Sequence, residues 1–243
     1  MNLNDLQRNW DQFGKEDPFW AIITRPEMKG NKWEEEAFFA TGQGRARKVT
    51  KKINRLLPNF RFQSALDFGC GVGRITQALA DHFEAANGVD IAPSMIKLAK
   101  ELNKKSNCHY FLNEKNDLSL FKAEQFDLVF SVITLQHMQP RYAKNYLAEF
   151  LRVLKKGGML IFQIPSKPDQ GTLNYHNALG KLQSSTAPSA PSENTQPVME
   201  MYWIPIGEVV NLLTAQGGQI LRIEKDNAAG EDWDSYTYYV GKP

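Results

Sequence analysis

A glycine-rich loop followed by an aspartate is the feature of this sequence whose residue types and spacing could do chemistry. The loop, Gly69–Gly73, reads Gly-Cys-Gly-Val-Gly and stands between the apolar run 64–68 and a helical pattern that begins at Arg74. Glycines let the backbone turn sharply and let a ligand approach the main chain, while the N-terminus of the next helix offers free N–H groups. Asp90 follows the loop by about 20 residues, a spacing at which a carboxylate can accept hydrogen bonds from ribose hydroxyls.

The details of the loop argue against two other nucleotide-binding loops. A dinucleotide fingerprint has glycine at its first, third and sixth positions, but the sixth position counted from Gly69 is Arg74, whose bulk opposes close packing. A phosphate-binding loop ends in Gly-Lys-Ser/Thr, which this loop lacks. Asn116 and Asp117 follow the third predicted strand, where a polar residue could meet an adenine amino group, although an ordinary loop turn explains them equally well. We therefore predict a nucleoside site that needs neither a triphosphate nor a pyrophosphate.

The elements that must position these residues follow from alternating strand and helix patterns. Repeated strand–helix–strand units with short connections imply a parallel sheet with helices on both faces. Strands are predicted at 64–68, 109–112, 126–133, 159–164, 219–224 and 236–240, and a further strand is predicted to end at 88–91. Helices are predicted at 3–13, 44–57, 74–83, 93–102, 141–154 and 206–213. Gly157-Gly158 is predicted to end the helix at 141–154 as a left-handed cap.

Over roughly residues 62–165 the sequence resembles the class I S-adenosylmethionine-dependent methyltransferases. The resemblance rests on four runs that occur in order, Leu66–Gly73, Val89–Met95, Phe126–Met138 and Leu151–Gly158. The family implies a Rossmann-like α/β fold, in which a mostly parallel sheet of seven strands ends with an antiparallel strand and carries helices on both faces. It also implies S-adenosyl-L-methionine as the cofactor and S-adenosyl-L-homocysteine as the product.

The resemblance also implies cofactor contacts, carried over residue by residue. The glycine loop should line the methionine and ribose side, Asp90 should hold the ribose, and the residues after the third strand should bracket the adenine edge. Ser131 and Val132 should lie beneath the sulfonium. The core residues assigned to the cofactor in this way are Asp67, Gly69, Cys70, Gly71, Asp90, Ile91, Met95, Asn116, Asp117, Leu118, Ser131 and Val132.

The flanks divide the chain unevenly. Residues 1–60 are rich in aromatic and charged residues, and we expect them to form a helical arm or lid over the cofactor site. This arm is similar to that of a bacterial subgroup of the family, in which Phe39, Thr41 and Gly42 should close over the cofactor. Residues 61–243 should form the methyltransferase domain, with a loop or lid excursion at 166–205 that is Ser/Thr/Ala/Pro-rich in part.

His137 is the candidate catalytic residue, because it follows the fourth strand where the methyl acceptor should lie. A histidine can take a proton from a hydroxyl or an amine near neutral pH. Many members of the family keep a histidine at this place for local hydrogen bonding, and we favour that structural role. The other histidines and the two cysteines show no metal-ligand spacing, so no metal site is predicted.

Composition limits the choice of partner. Lys and Arg number 29 against 27 Asp and Glu, for a net charge of +2, which argues against a large basic surface for nucleic acid. A local basic face remains on the helix at 44–57, for which solvation is favoured over contact with RNA phosphates. Its residues are Arg45, Lys48, Lys51, Lys52 and Arg55. The start of the chain lacks a signal-peptide pattern and no apolar run is long enough to cross a bilayer, so a cytoplasmic protein without membrane contact is expected.

The sequence thus predicts a methyltransferase that moves the methyl group of S-adenosylmethionine to an O, N or C nucleophile of a small molecule by in-line displacement. Ser131–Thr134 stands where an Asn/Asp-Pro-Pro-aromatic run would indicate methylation of adenine N6 or of a glutamine amide. The alternatives are an RNA methyltransferase that uses helix 44–57 and a cofactor-binding module without transfer activity. A nicotinamide-dependent oxidoreductase is disfavoured by Arg74.

Overall fold

One mixed sheet organises the computed structural model, which describes residues 1–168 and 197–243. Its seven strands lie in the order β3-β2-β1-β4-β5-β7-β6. The strands are β1 (Ser64–Phe68), β2 (Ala85–Asp90), β3 (Cys108–Leu112), β4 (Phe126–Ser131), β5 (Leu154–Pro168), β6 (Gln219–Asp226) and β7 (Trp233–Gly241). The helices are α1 (Leu3–Glu16), α2 (Pro18–Ile22), α3 (Glu35–Leu56), α4 (Arg74–Leu79), α5 (Pro93–Glu101), α6 (Pro140–Val153) and α7 (Ile206–Ala215), with 3-10 turns at Pro26–Met28 and Leu135–His137.

The strand pairing confirms the predicted sheet. β1 pairs in parallel with β2 on one side and with β4 on the other, and β2 and β4 continue in parallel to β3 and β5. β7 runs antiparallel to both β5 and β6. From β1 the chain adds β2 and β3 on one side of the sheet, and then returns to add β4 and β5 on the other side of β1. Because the order of the strands reverses between β1 and β4, the carboxyl ends of these two strands border a crevice. Open α/β sheets bind ligands in such a crevice.

The central strands are buried because helices cover both faces of the sheet. Every residue of β4 is buried. On one face, Val129 and Leu160 pack with Phe150 of α6, and on the other, Leu128 packs with Ile53 of α3 and with α4. The near-continuous apolar run that predicted β4 therefore reflects two covered faces.

The first part of the chain folds into an arm with its own apolar cluster. Phe13, Trp33 and Phe38 pack with Val72 and Met95, so the aromatic residues of the arm are seated on the glycine loop and on α5. The turn between α1 and α2 is held by the buried Asp17. Its carboxylate caps α2 and also accepts hydrogen bonds from the N–H groups of residues 30 and 31, which brings the 3-10 turn back beside α1.

The start of α3 and the role of Gly157-Gly158 were predicted wrongly. Helix α3 begins at Glu35, well before the predicted start at 44, because Phe38 and Gly42 are buried on the same face as the rest of the helix. Helix α6 ends at Val153, and Gly157-Gly158 lies inside β5 rather than at a helix cap. Gly157 has a φ of 75° and its N–H donates to the Lys242 carbonyl at 2.7 Å, so the left-handed residue serves the pairing of β5 with the end of β7.

Most of the predicted excursion at 166–205 lies outside the described residues. The part that follows, 197–205, crosses the loop after β4, where the Tyr202 N–H donates to the Gln136 carbonyl at 2.7 Å. The Ile204 N–H donates to the Pro165 carbonyl at 3.0 Å. Among the helices of residues 1–168 and 197–243, none combines the length and the apolar character that crossing a bilayer requires.

Candidate ligand site at the carboxyl end of the sheet

A cavity of about 1110 Å³, partly continuous with solvent, opens at the carboxyl ends of β1, β2 and β4. The glycine loop and Asp90 form its floor, and α1 and α2 of the arm form its outer wall. The cavity therefore lies where the order of the strands predicts a ligand crevice.

The glycine loop has a backbone conformation that residues other than glycine rarely adopt. Gly69, Gly71 and Gly73 have φ values of 74°, 52° and 83°. The N–H groups of Gly69 and Cys70 donate to the Val89 carbonyl at 2.8 and 3.1 Å, which fastens the loop to the end of β2. A Cβ atom on Gly71 would overlap the side chain of Ile22 in α2, so the arm approaches the bare backbone here. The loop thus forms a floor of bare backbone, because residues with side chains would be strained there and would overlap their neighbours.

Asp90 stands beside this floor at the end of β2. One carboxylate oxygen accepts the Gly71 N–H at 2.9 Å and the other accepts the Ala92 N–H at 2.9 Å. Burial raises the pKa of Asp90 above its usual value, against these backbone bonds that lower it. Since each carboxylate oxygen has a second lone pair, both oxygens can still accept from a diol of the ligand.

Asp67 connects β1 to α4 and also borders the cavity. Its carboxylate accepts the Thr76 hydroxyl at 2.7 Å. Burial raises the pKa of Asp67 to about 6. The side chain is therefore mostly ionised at pH 7 and gives the floor of the cavity a second negative charge.

Two arginines give the cavity positive charge at another part of its wall. Both Arg45 of α3 and Arg74 of α4 line it. Arg74 Nη1 donates to Thr41 Oγ1 at 3.1 Å, while its buried Nε has no hydrogen-bond partner in the part of the chain that the structure describes. Burial and the charge of Arg45 lower the pKa of Arg74 to about 10, so it stays protonated at neutral pH.

The predicted residues of the arm surround Arg74 rather than line the cavity. Thr41 accepts the hydrogen bond from Arg74, and a Cβ atom on Gly42 would overlap the Arg74 carbonyl, so α3 needs glycine there to pack against α4. Phe39 packs against the rings of Phe19 and Phe38 at centroid distances of 6.4 and 5.5 Å. These three residues therefore support a side chain that lines the cavity.

At the end of β3 the cavity is bordered by Asn113 and not by the predicted 116–118. The Asn113 side-chain amide donates to the Asp117 carbonyl at 2.9 Å, which leaves its own carbonyl oxygen available. Asn116 is exposed, and the Leu118 N–H donates to Glu149 at 2.8 Å on the far side of the loop. Asn113 is the first polar residue after β3, and this position in the sequence could have predicted that it borders the cavity.

The end of β4 presents Val132 and Ile133 to the cavity, while Ser131 is buried in the sheet. Ser131 Oγ has no hydrogen-bond partner among the described residues. Ile133 has a φ of 60°, which is strained for a β-branched residue. Its N–H donates to the buried Gln163 side chain at 2.9 Å, and this bond holds the strained turn in place.

His137 lies in the cavity wall with both ring nitrogens engaged. Nδ1 is 2.8 Å from the Glu200 carbonyl, which can only accept, so Nδ1 carries the proton. Nε2 lies 3.2 Å from the Gln136 side-chain amide. Burial lowers the pKa of His137 to about 4. The ring is thus neutral at pH 7 and joins the loop after β4 to the segment at 197–204.

Helix α1 covers the cavity from outside. Leu6 and Trp10 line the cavity, and the Trp10 ring lies 5.1 Å from that of His137. Asp11 fastens the helix to α5, since its carboxylate accepts the Ser94 N–H at 2.7 Å and its carbonyl accepts the Ser94 hydroxyl at 2.8 Å. A ligand in the cavity would be shielded from water by this helix.

The basic face of α3 is divided in the structure. Arg45 borders the cavity, and Lys52 pairs with Glu224 of β6 at 2.6 Å. Lys48, Lys51 and Arg55 remain exposed. The five positive charges therefore do not form one surface for a nucleic acid.

The structure brings nine of the predicted site residues to the cavity: Asp67, Gly69, Cys70, Gly71, Asp90, Ile91, Met95, Val132 and His137. It places the others outside the cavity wall, namely Phe39, Thr41, Gly42, Asn116, Asp117, Leu118 and Ser131. The wall also includes residues that sequence reasoning missed, above all Trp10, Ile22, Arg45, Arg74 and Asn113. Within the described ranges, no three His, Cys, Asp or Glu side chains are grouped so that they could hold a metal ion.

Part of the chain is similar to known methyltransferases. Residues 66–162 match a family model described as a methyltransferase domain. The chain is 33% identical over 121 residues to the malonyl-[acyl-carrier protein] O-methyltransferase of Herminiimonas arsenicoxydans, a stretch that covers 49% of this chain and 44% of the relative. It is 27% identical over 165 residues to the demethylmenaquinone methyltransferase of Tropheryma whipplei, covering 65% of this chain and 66% of that protein. The matches thus span less than two thirds of the length of these relatives.

The fold has a full-length counterpart among solved structures. The crystal structure of magnesium protoporphyrin IX methyltransferase from Synechocystis PCC 6803 with bound SAH superposes with a TM-score of 0.67, and the match covers 100% of both chains. The identity is 16%, so this likeness shows the fold alone.

Proposed function

We propose that this chain, whose residues 66–162 match a model described as a methyltransferase domain, is a class I methyltransferase that transfers the methyl group of S-adenosylmethionine to a small-molecule acceptor. The observation that carries the proposal is Asp90 beside the glycine floor, with each carboxylate oxygen fixed by one backbone N–H and free to accept once more. This arrangement suits the diol of a ribose and offers no cradle for a chain of phosphates.

The residues around the cavity fit the cofactor. The bare backbone of Gly69–Gly71 would meet its methionine and ribose parts. A Cβ atom at either glycine would overlap Thr134 or Ile22, so the loop stays free of side chains there. Asp90 would hold the ribose, and Ile91, Met95 and Asn113 border the region beyond it, where the adenine would lie. S-adenosylmethionine supplies, when bound, a methyl group that its sulfonium already activates.

The protein then has to align the acceptor and exclude water. Trp10 and Leu6 of α1 exclude water from one side, and the turn at Val132 and Ile133 forms the wall next to the methyl group. We propose that residues 1–60 act as this lid on a domain formed by 61–243. His137 is neutral and its Nε2 already accepts a hydrogen bond, so we propose that it orients the loop after β4 and does not act as a base.

A small-molecule acceptor is supported from two sides. Relatives and structural neighbours carry names such as demethylmenaquinone methyltransferase and magnesium protoporphyrin IX methyltransferase, whose named acceptors are small molecules. In this chain, the basic face that an RNA acceptor would need is divided between the cavity, an ion pair and solvent.

Calorimetry with S-adenosylhomocysteine and with NADH tests the cofactor. Binding of S-adenosylhomocysteine by the wild type is expected, together with at least a tenfold loss in Asp90→Asn, because charged hydrogen-bond acceptors contribute roughly 1.5–3 kcal/mol. Asp117→Asn is the matched control, since Asp117 lies outside the cavity wall, and it should bind as the wild type does. Binding of NADH without binding of S-adenosylhomocysteine would refute the proposal.

The acceptor is tested with radiolabelled S-adenosylmethionine. The purified protein is incubated with a metabolite extract and, separately, with total RNA, and the label is followed into small molecules and into polynucleotide. Label in a small molecule supports the proposed acceptor class. Label in RNA alone would replace it with the RNA alternative.

A further inference from the structure

Gln163 is a polar residue in the middle of a buried apolar strand. It is the only polar member of the run Met159–Ile164 in β5, and its side chain is fully buried. A buried amide is costly unless its hydrogen-bonding groups find partners. An apolar side chain would pack in this strand without that cost, so the amide is expected to hold particular groups in place.

Every hydrogen-bonding group of this amide has a partner. Its Oε1 accepts the Ile133 N–H at 2.9 Å, and its Nε2 donates to Gln136 Oε1 at 3.0 Å and to Ser235 Oγ at 2.7 Å. Ser235 of β7 is itself buried. The amide is therefore fixed by the turn after β4, by the 3-10 turn that follows and by the neighbouring strand.

The direction of these hydrogen bonds follows from groups that can only donate or only accept. A backbone N–H only donates, so the atom of Gln163 that faces Ile133 is its oxygen, and its nitrogen then donates to the oxygen of Gln136. The Gln136 nitrogen donates to Nε2 of His137, whose Nδ1 proton goes to the Glu200 carbonyl. The main-chain groups at the two ends of this series thus set the orientation of both amides and of the ring.

The strained turn at Ile133 is the part of the cavity wall that this amide holds. Its φ of 60° is unfavourable for a β-branched residue, and such a conformation persists only where the surroundings impose it. Both Ile133 and the preceding Val132 line the cavity. Without a partner for its N–H, the turn would relax toward an ordinary backbone conformation, and this part of the wall would move with it.

We propose that Gln163 is a positioning residue for methyl transfer, which acts through Ile133 on the cavity wall next to the methyl group of the cofactor. The inference rests on the proposed function, because that function assigns the methyl group to this wall. Gln163 lies in β5 behind the wall, so it sets the geometry of the reacting groups without touching them. Small shifts of such a wall matter because transfer needs the two reacting atoms in line and close together.

The first experiment compares S-adenosylmethionine with S-adenosylhomocysteine, which differ in the methyl group and in the positive charge that it gives to the sulfur. Both are titrated by calorimetry into the wild type and into Gln163→Met, whose side chain has a similar length but no amide. S-adenosylmethionine should weaken about fourfold relative to S-adenosylhomocysteine, the factor expected when one methyl group loses its burial. A general loss of folding stability would leave this ratio unchanged.

Gln77→Met is the matched control. Gln77 of α4 is also a buried glutamine, and its amide bonds the main chain at Leu102 and Lys104, at 3.1 and 3.0 Å. The same substitution there removes buried amide hydrogen bonds away from the cavity wall. The ratio of the two affinities should therefore stay within about twofold of its wild-type value.

The second experiment follows the Ile133 amide itself and needs no ligand. Hydrogen exchange of the isotope-labelled protein is measured by NMR, with the Val129 amide of β4 as the internal reference. Relative to Val129, the Ile133 amide should exchange about tenfold faster in Gln163→Met than in the wild type, because its hydrogen bond is lost. Gln77→Met should leave the relative rate as it is in the wild type.

The proposal is overturned if the ratio of the two affinities is unchanged in Gln163→Met, or if it changes as much in Gln77→Met. If Gln163→Met does not fold, the wild type decides, since an Ile133 amide that exchanges as fast as exposed loop amides would show that Gln163 does not hold the turn. A wild type that binds neither ligand would refute the proposed function instead. The exchange of Ile133 would in that case still test the hold of Gln163 on the turn.

Discussion

Gly71 is the position where the structure allows the sharpest test of the glycine floor, because a single methyl group there has two separable effects. Its φ of 52° makes alanine strained whatever the space around it, at a cost of about 1–2 kcal/mol for a left-handed conformation. In addition, the new Cβ would overlap the side chain of Ile22, which is a second wall of the cavity. Gly71→Ala should therefore lose both stability and affinity for the ligand.

Gly157→Ala separates the two effects. Gly157 has a φ of 75°, and a Cβ atom there would meet nothing within 4 Å. Both variants should lose about 1–2 kcal/mol of unfolding free energy in urea, or roughly 2–8 °C in Tm for a chain of this size. Only Gly71→Ala should lose affinity for S-adenosylhomocysteine, by about tenfold in calorimetry, because its methyl group displaces Ile22 toward the ligand.

A second substitution tests the cause of the loss. Ile22→Val removes the terminal methyl group that the new Cβ would overlap, so Gly71→Ala combined with Ile22→Val should recover most of the affinity but not the backbone strain. The coupling between the two substitutions is read from a double-mutant cycle. If Gly71→Ala binds S-adenosylhomocysteine as tightly as Gly157→Ala does, the glycine loop is not the floor of the ligand site and the reasoning fails.

The buried Asp67 and His137 should change the stability of the fold in opposite directions as the pH rises, and Asn113 tests the site at the end of β3. The pKa of Asp67 is raised to about 6, so this carboxyl contributes about 3 kcal/mol to the free energy of unfolding below pH 4, and the contribution is lost as the pH rises through 6. Urea unfolding of the wild type and of Asp67→Asn at pH 4 and above pH 6 should show this difference. The same change in unfolding free energy with pH in both proteins would contradict it. The pKa of His137 is lowered to about 4, so on acidification the unfolded state takes up a proton before the folded state does. The free energy of unfolding should therefore fall by about 3 kcal/mol between pH 7 and pH 4, and His137→Gln should abolish that part of the decline. A His137 ring that titrates near 6.5 by NMR in the wild type would refute this reasoning. Asn113→Ala should weaken S-adenosylhomocysteine by about fivefold or more through loss of a hydrogen bond, whereas Asn116→Ala should not; the opposite order would return the adenine edge to residues 116–118.

The sequence predicted the sheet well because strand periodicity and loop glycines are local signals. β4 is apolar throughout since it is covered on both faces, and Gly69–Gly73 joins a strand to a helix as its glycines indicate. The loop after β3 has no such periodicity. Its course depends on distant side chains, such as Glu149, which accepts the Leu118 N–H, so spacing alone could not tell which of its polar residues faces the cavity.

Gly157-Gly158 shows the same limit for a glycine signal. A helix followed by two glycines predicts a left-handed cap, and Gly157 does have positive φ. The chain nevertheless leaves the helix before these glycines, because Leu154 pairs with Phe126 and starts β5. A positive φ was thus correctly indicated, while the element it serves was decided by pairing with a strand that lies far away in the sequence.

Arg74 is the residue that argued against a dinucleotide fingerprint in the sequence, and it lines the cavity in the structure. Its bulk at the sixth position of the loop argued against a dinucleotide fold, in which glycine lets the helix pack closely. Here the close approach is made by Gly42 of α3 against the Arg74 carbonyl, so the glycine required for packing stands on the neighbouring helix. The side chain of Arg74 then lines the cavity, where its buried Nε has no hydrogen-bond partner within residues 1–168 and 197–243. The residue whose size argues against a dinucleotide fingerprint therefore places a positive charge beside the glycine floor.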